Sequence, residues 1–288
     1  MEPLLELAVE LKSVSDRDRL EDALAAMIAE DPFFQVSTDG ESGQTVLHGT
    51  DEGHLDRKLT TLIEDQGIAL RVGAPQVAYR ETITRPAEID YSHKRNLGPR
   101  GEFARVLLRF EPGGINSGFV FTSTVSQEAG LSEYVAGVAA GLEAARQNGL
   151  LAGFPVIDMK AILVNGAVHD VDSSVRAFDA AARAAFKSLR ENAAPVVLEP
   201  VVRVEVSTPE VGLTPILSDL LAHRGDVEAR GNVVTGLVPL AGLLGYDRRL
   251  DHLTGGQGEW SMVFDHFAPV PELTPPDDVF PPAIGMRA

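Results

Sequence analysis

The order of strand-like and helix-like stretches at the two ends of this chain restricts its fold more than any other feature. Residues 4–11 (LLELAVEL) form an apolar strand pattern, and residues 15–30 space Leu20, Leu24, Met27 and Ile28 along one face of a helix. Residues 34–38 and 45–48 flank the polar turn Asp39-Gly40-Glu41-Ser42-Gly43, which predicts a hairpin. A helix over 54–65 and a strand over 68–72 complete a βαββαβ order, that of a ferredoxin-like unit. The order recurs at the other end. A strand over 201–206 and a helix over 213–223 precede a hairpin of 226–229 with 233–238, turning at Arg230-Gly231-Asn232. A short helix within 240–253 and a strand over 260–267 follow. The two ends share topology without a sequence period, so they are not solenoid repeats.

The intervening segment reads differently. Strands over 76–83, 103–110 and 118–125 precede a helix over 132–148 whose small residues Ala136, Gly137, Ala139, Ala140 and Gly141 suit close approach to a sheet. Residues 153–185 then read as strand, polar loop and helix, with Val175, Phe178, Ala182, Ala185, Phe186 and Leu189 on one helical face. The loop gathers His169, Asp170 and Asp172, and Ser173 or Ser174 can cap the helix by accepting from its free amides. Beyond Pro269, prolines at 271, 275, 276, 281 and 282 predict an extended, poorly ordered tail.

Composition excludes several function classes. The net charge of −17 makes the surface as a whole repel phosphate backbones, so any nucleic-acid contact needs a local patch. The absence of cysteine rules out disulfides, thiolate nucleophiles and cysteine-ligated metal centres. No basic-then-apolar leader and no apolar run near the roughly 20 residues of a membrane helix occur, and we expect a soluble cytoplasmic protein without membrane contact.

A phosphate loop of the form Gly-x-x-x-x-Gly-Lys-Ser/Thr does not occur. Gly255-Gly256-Gln257-Gly258 lies between a helix and a strand and reads as a turn. His169 beside Ser173 and Ser174 suggests a hydrolase constellation, but sequence neighbours seldom hold triad geometry and there is no Gly-x-Ser-x-Gly elbow. The histidines 48, 54, 93, 223, 252 and 266 show no ligand-type spacing, and His266 reads as structural, so neither a catalytic nor a metal residue is assigned.

Several separated motifs occur in a family order: Gly73-Ala-Pro-Gln-Val-Ala-Tyr-Arg-Glu-Thr-Ile83, Gly149-Leu-Leu-Ala-Gly-Phe-Pro155, His169-Asp-Val-Asp-Ser-Ser174, Leu198-Glu-Pro200 and Phe264-Asp-His266. Together they resemble the C-terminal part of bacterial elongation factor G over nearly the whole chain to Pro271. The resemblance implies an α+β protein in which two ferredoxin-like βαββαβ domains flank a ribosomal-protein-like α/β domain IV. Domain III then spans 1–72, domain IV 73–194, domain V 195–271, and the proline-rich tail 272–288. It also implies a fragment of a translational GTPase whose G domain, with GTP and Mg2+, lies upstream. The chain alone is then expected to be inactive on GTP, to carry no cofactor, and to be monomeric.

The family places the tip of domain IV in the ribosomal decoding centre, against ribosomal RNA, transfer RNA and messenger RNA. Two loops form that tip. One corresponds to His169 and Asp170, the other to Lys94, Arg95, Asn96, Leu97, Gly98, Pro99 and Arg100. His93, Lys94, Arg95, Arg100, Arg105 and Arg109 supply a basic cluster that fits such contacts. The chain also departs from the family. Asn96-Leu-Gly-Pro-Arg-Gly101 stands where typical members read Gln-Ser-Gly-Gly-Arg-Gly, losing a hydroxyl and gaining a proline that fixes φ. Gly49-Thr-Asp-Glu-Gly-His-Leu55 and Val211-Gly-Leu-Thr-Pro-Ile216 differ from the usual segments of domains III and V. These departures point to a divergent paralogue, with ribosome recycling or protection as the alternative to translocation.

Overall fold

The computed structural model describes residues 3–39, 43–96, 101–125 and 130–271. The chain divides into two compact units, residues 1–78 with 199–265, and residues 79–198 with 266–270.

In the first unit, β1 (Leu5–Leu11), α1 (Arg17–Glu30), β2 (Gln35–Thr38), β3 (Thr45–Gly49), α2 (Glu52–Thr60) and β4 (Leu70–Val72) follow the expected order. The strands lie in the order β2-β3-β1-β4, all antiparallel, as a ferredoxin-like sheet requires. Leu20, Leu24 and Met27 turn inward from α1, while Ile28 is 43% exposed, so the helix buries a narrower stripe than expected. Asp51 caps α2 by accepting from the His54 amide at 2.7 Å, and the helix ends in a π-turn over Thr61–Asp65. The predicted turn residues Gly40, Glu41 and Ser42 lie outside the described residues.

The strand expected over 76–83 is broken at Ala78 and Tyr79. Its first part, β5 (Gln76–Val77), pairs with β1, and its second, β6 (Arg80–Ile83), pairs with the strand that begins at Pro195. The second unit then continues with β7 (Ala87–Asn96), β8 (Gly101–Pro112), β9 (Phe119–Ser123), α3 (Val135–Gln147), β10 (Met159–Ala167), α4 (Val175–Lys187) and α5 (Leu189–Asn192). β7 is absent from the sequence-based expectation. The sheet order is β7-β8-β10-β9, with β9 parallel to β10 and the other pairs antiparallel. Ala104, Val106, Leu108 and Phe110 alternate inward from β8 onto Phe178, Ala182 and Phe186 of α4 and Val138 and Leu142 of α3. Val175, expected on the buried face, is exposed.

The small residues of α3 serve a different contact from the one expected. A Cβ on Gly137 would meet the Val175 carbonyl at 2.5 Å, and one on Gly141 the Asp179 carbonyl at 2.5 Å, so they admit α4 rather than the sheet.

The last segment comprises β11 (Pro195–Ser207), α6 (Glu210–Ala222), β12 (Asp226–Arg230), β13 (Val233–Pro239), α7 (Tyr246–Thr254) and β14 (Glu259–Pro269). The order β12-β13-β11-β14 repeats the ferredoxin-like arrangement, and the fold is α+β. β11 starts six residues before the expected strand, because residues 195–198 pair with β6 and residues 201–207 with β13. Gly255 and Gly256 adopt φ of 66° and 78° at the C-terminus of α7, in keeping with a turn. His266 lies within β14, three residues before its end. No helix among the described residues is long and apolar enough to cross a membrane.

Register positions the site. β10 pairs with β8 from Met159–Pro112 to Ala167–Arg105, whereas β7 keeps pairing to Asn96–Gly101. The β7–β8 hairpin therefore runs four residues beyond β10, and the chain leaving β10 lies against that projection.

Candidate nucleic-acid interface

The loop between β10 and α4 is shaped by its own polar side chains. Ser174, in extended conformation, caps α4 by accepting from the Ala177 amide at 3.1 Å. Ser173 faces the other way: its hydroxyl donates to the Phe103 carbonyl at 2.8 Å and accepts from the His169 amide at 2.9 Å. Asp172 completes the tie. Its carboxylate accepts from the Gly101 amide at 3.0 Å, and its carbonyl accepts from the Phe103 amide at 2.9 Å. Four hydrogen bonds thus shape this loop and fasten it to the hairpin at Gly101 and Phe103.

His169 sits on that surface with its side chain 56% exposed, edge-on to the Phe103 ring at 6.3 Å between centroids. Its Nδ1 lies 3.4 and 3.3 Å from the Val171 and Asp172 amides and 3.4 Å from the Asp172 carboxylate. Asp170 is exposed and forms no ion pair among the described residues. Lys94 lies opposite Phe103 in the hairpin, its Nζ 5.7 Å from the ring centroid, and Arg95 lies opposite Glu102. Asn96 pairs with Gly101 through the backbone. Its side chain, with Leu97, Gly98, Pro99 and Arg100, lies outside the described residues.

The six-residue basic cluster is reduced by pairing. Arg105 binds Asp90 at 2.8 Å through Nε, and Arg109 binds Glu88 at 3.2 Å, both across the β7–β8 ladder. The Asp90 carboxyl is held below its ordinary range by Arg105, whose guanidinium is raised in turn. His93 contacts Glu102 at 3.2 Å, and Glu102 is held below the usual carboxylate range chiefly by that hydrogen bond and then by the charge of Arg176. Lys94 and Arg95 form no ion pair within 4 Å among the described residues, although the charge of Arg95 also helps to lower Glu102. The acids that neutralise Arg105 and Arg109 sit on β7, the strand missing from the sequence reading.

Lys94, Arg95, Glu102, Phe103, His169 and Asp172, with Gly101, line a cavity of about 320 Å3. A larger, mostly apolar cavity of about 520 Å3 in the first unit, lined by Leu4, Phe33, Leu243, Trp260 and Met262 among others, contains none of the expected site residues. The hydrolase arrangement is not formed: the Ser173 proton goes to the Phe103 carbonyl, and the His169 Nδ1 is taken by backbone amides. Among the described residues no group of three or more His, Asp or Glu is placed to hold a metal ion.

Asp172 and Ser173 are tip residues that sequence patterning does not separate from simple capping. Replacing Asp172 by alanine removes the acceptor of the Gly101 amide and is expected to cost about 1 kcal/mol locally. Hydrogen exchange should read this as faster exchange at Gly101 and Phe103, with the amides of α3 unchanged.

Comparison with known proteins gives a consistent assignment along the chain. Residues 1–74 match the family model for elongation factor G domain III, residues 75–194 that for domain IV, and residues 196–277 that for the elongation factor G C-terminus. The elongation factor G of Hyphomonas neptunium is 45% identical over 275 residues, covering 94% of this chain and 39% of the relative. That of Paracoccus denitrificans is 45% identical over 276 residues, with the same coverage of 94% and 39%. A crystal structure of a protein from Thermus thermophilus superposes with a TM-score of 0.71 at 37% identity, covering 94% of this chain and 41% of that one. The chain therefore spans about two fifths of the length of the relatives it matches.

Proposed function

Because the chain belongs to the elongation factor G family, whose domain III, domain IV and C-terminal models match it in succession, we propose that it is the ribosome-binding part of a translational GTPase that moves transfer RNA and messenger RNA. The observation that carries this reading is the fused tip, where Lys94 and Arg95 present positive charge at the end of a projecting hairpin in a chain of net charge −17. A tip of this kind contacts RNA phosphate while the acidic remainder is repelled from it. His169 and Asp170 add hydrogen-bonding groups beside the cations. The work is done by binding energy, with no bond made or broken at this surface.

In this reading GTP and Mg2+ belong to the part of the relatives' length that this chain does not match. The glycine cluster at 255–258 does not fit a nucleotide phosphate, since it closes a helix C-terminus, where backbone carbonyls rather than amides are free. The partner is the ribosome at its decoding centre, and the place of action the cytoplasm.

The test is cosedimentation of this chain with ribosomes across a salt series. Replacing Lys94, Arg95 and Arg100 together by alanine is expected to weaken binding and flatten the slope of log affinity against log salt by about 2, roughly 0.7 per lost phosphate contact. An unchanged affinity and slope would remove the tip from the interface. The altered loop Asn96-Leu-Gly-Pro99 favours a second reading, ribosome recycling or protection. A translocation assay on the full-length protein separates the two readings.

A further inference from the structure

We infer that the tip cavity is a subsite for a single unpaired nucleotide of RNA whose base carries an exocyclic amino group: adenine, cytosine or guanine. The inference deepens the proposed function and rests on the tip being RNA-facing. The cavity, about 320 Å3, is at the lower end of the range of small-ligand pockets, a size suited to one nucleotide.

Its lining supplies each contact such a ligand needs. The exposed His169 ring, braced edge-on by Phe103, offers a stacking face, and unstacked bases are held on aromatic side chains of this kind. Lys94 and Arg95, without ion pairs among the described residues, stand where a flanking phosphate can be neutralised. Asp172 gives Oδ1 to the Gly101 amide, with Oδ2 3.4 Å from His169 Nδ1, and Glu102 gives Oε2 to His93, with Oε1 3.9 Å from Arg176. Each carboxylate oxygen has a second lone pair, and these are the acceptors for an amino group. Uracil offers the same carboxylates only its N3–H, flanked by two carbonyl oxygens that the carboxylates repel. Gly101 keeps the floor open, since a Cβ there would stand 3.1 Å from the Asp172 carboxyl group.

The experiment is an NMR titration of the 15N-labelled chain with AMP, UMP and ribose 5-phosphate. Its second arm measures binding of an RNA stem with one bulged adenosine and of the same stem fully paired. AMP is expected to shift the amides of Lys94, Arg95, Phe103 and His169, with UMP at least about fivefold weaker and ribose 5-phosphate weaker still. The bulged stem should bind at least about tenfold more tightly than the paired stem and than AMP, which identifies RNA rather than free nucleotide as the source. Phe103→Leu, which removes the brace of the His169 ring, should weaken AMP binding toward that of ribose 5-phosphate while leaving the salt dependence intact. Equal shifts from ribose 5-phosphate and AMP, or equal binding of the two stems, would overturn the inference. Ribosome binding that still depends on Lys94 and Arg95 would in that case survive, so the two failures are distinguishable.

Discussion

Replacement of Glu81 by alanine is expected to destabilise the second unit by roughly 4 kcal/mol, a stability effect far larger than that of any change at the tip. Glu81 has no exposed surface. Its carboxylate accepts from the Leu151 and Ala152 amides at 2.8 Å each, from Phe154 at 3.2 Å, and from Leu150. Those amides belong to the turn between α3 and β10, where Gly149 and Gly153 adopt φ of 69° and 90°. The backbone there curls into a nest of N–H groups that an external anion could otherwise occupy, and the protein fills it with its own carboxylate. Alanine leaves the buried Leu150 amide and the part-buried amides of Leu151, Ala152 and Phe154 without this acceptor, and a donor left unsatisfied in a buried site costs about 1–3 kcal/mol. Glutamine restores one oxygen but points an amino group at donors, so about half of the loss should persist. Thermal unfolding should show Tm lower by about 10 °C for alanine, on a scale of roughly 2–4 °C per kcal/mol for a unit of this size. Exchange at residues 150–154 should accelerate first. A variant with wild-type Tm would mean that water or another group satisfies the nest.

A change of comparable size is expected at Gly141. The Cβ added by Gly141→Val would fall 2.5 Å from the Asp179 carbonyl and 3.0 Å from the Ala182 Cβ, and a backbone oxygen cannot rotate aside. The helices must separate, and overpacking of this kind costs about 3 kcal/mol. Gly141→Ala is the sharper comparison. In an exposed helix it would stabilise by up to about 1 kcal/mol, because glycine loses more backbone freedom than alanine on folding. Here the contact should reverse that sign, giving a net loss of about 2 kcal/mol in urea unfolding. The same experiment on Ala140→Leu, one residue away on the exposed side of α3, should give a change within about 0.5 kcal/mol.

The elements legible in the sequence are those whose pattern is local. The two βαββαβ orders are readable because hairpin turns and amphipathic helices each carry a short-range signature, as in Leu20, Leu24 and Met27 of α1. β7 is not. As an edge strand it places Glu88, Asp90 and Ser92 toward solvent, with Ile89 and Tyr91 packed against the core, and its charge density resembles a loop. Missing it has a consequence at the site, because Arg105 and Arg109 look like RNA-binding cations until their partners on β7 are seen.

The small residues of α3 correctly signal close packing and yet suggest the wrong neighbour, since residue size does not name what approaches. β11 reads short because residues 198–202 are all buried and show no alternation. At the tip, the loop with His169 is legible as a polar cluster. The fastening of that loop by Asp172 and Ser173 to Gly101 and Phe103 is not, because it joins residues about 70 positions apart.

The central claim, that the fused tip meets RNA in the decoding centre, is tested most directly by localised cleavage. The chain has no cysteine, so a single substitution gives a unique attachment point for an iron chelate that generates hydroxyl radicals. Val171→Cys, at a tip position 77% exposed, places the probe beside His169, and Val14→Cys, 79% exposed in the first unit, serves as the comparison. On ribosomes carrying messenger and transfer RNA, the probe at 171 is expected to cut small-subunit RNA of the decoding centre and the adjacent anticodon stem, and the probe at 14 to leave both intact. Intact decoding-centre RNA with the probe at 171, under conditions where the chain cosediments with the ribosome, would contradict the account.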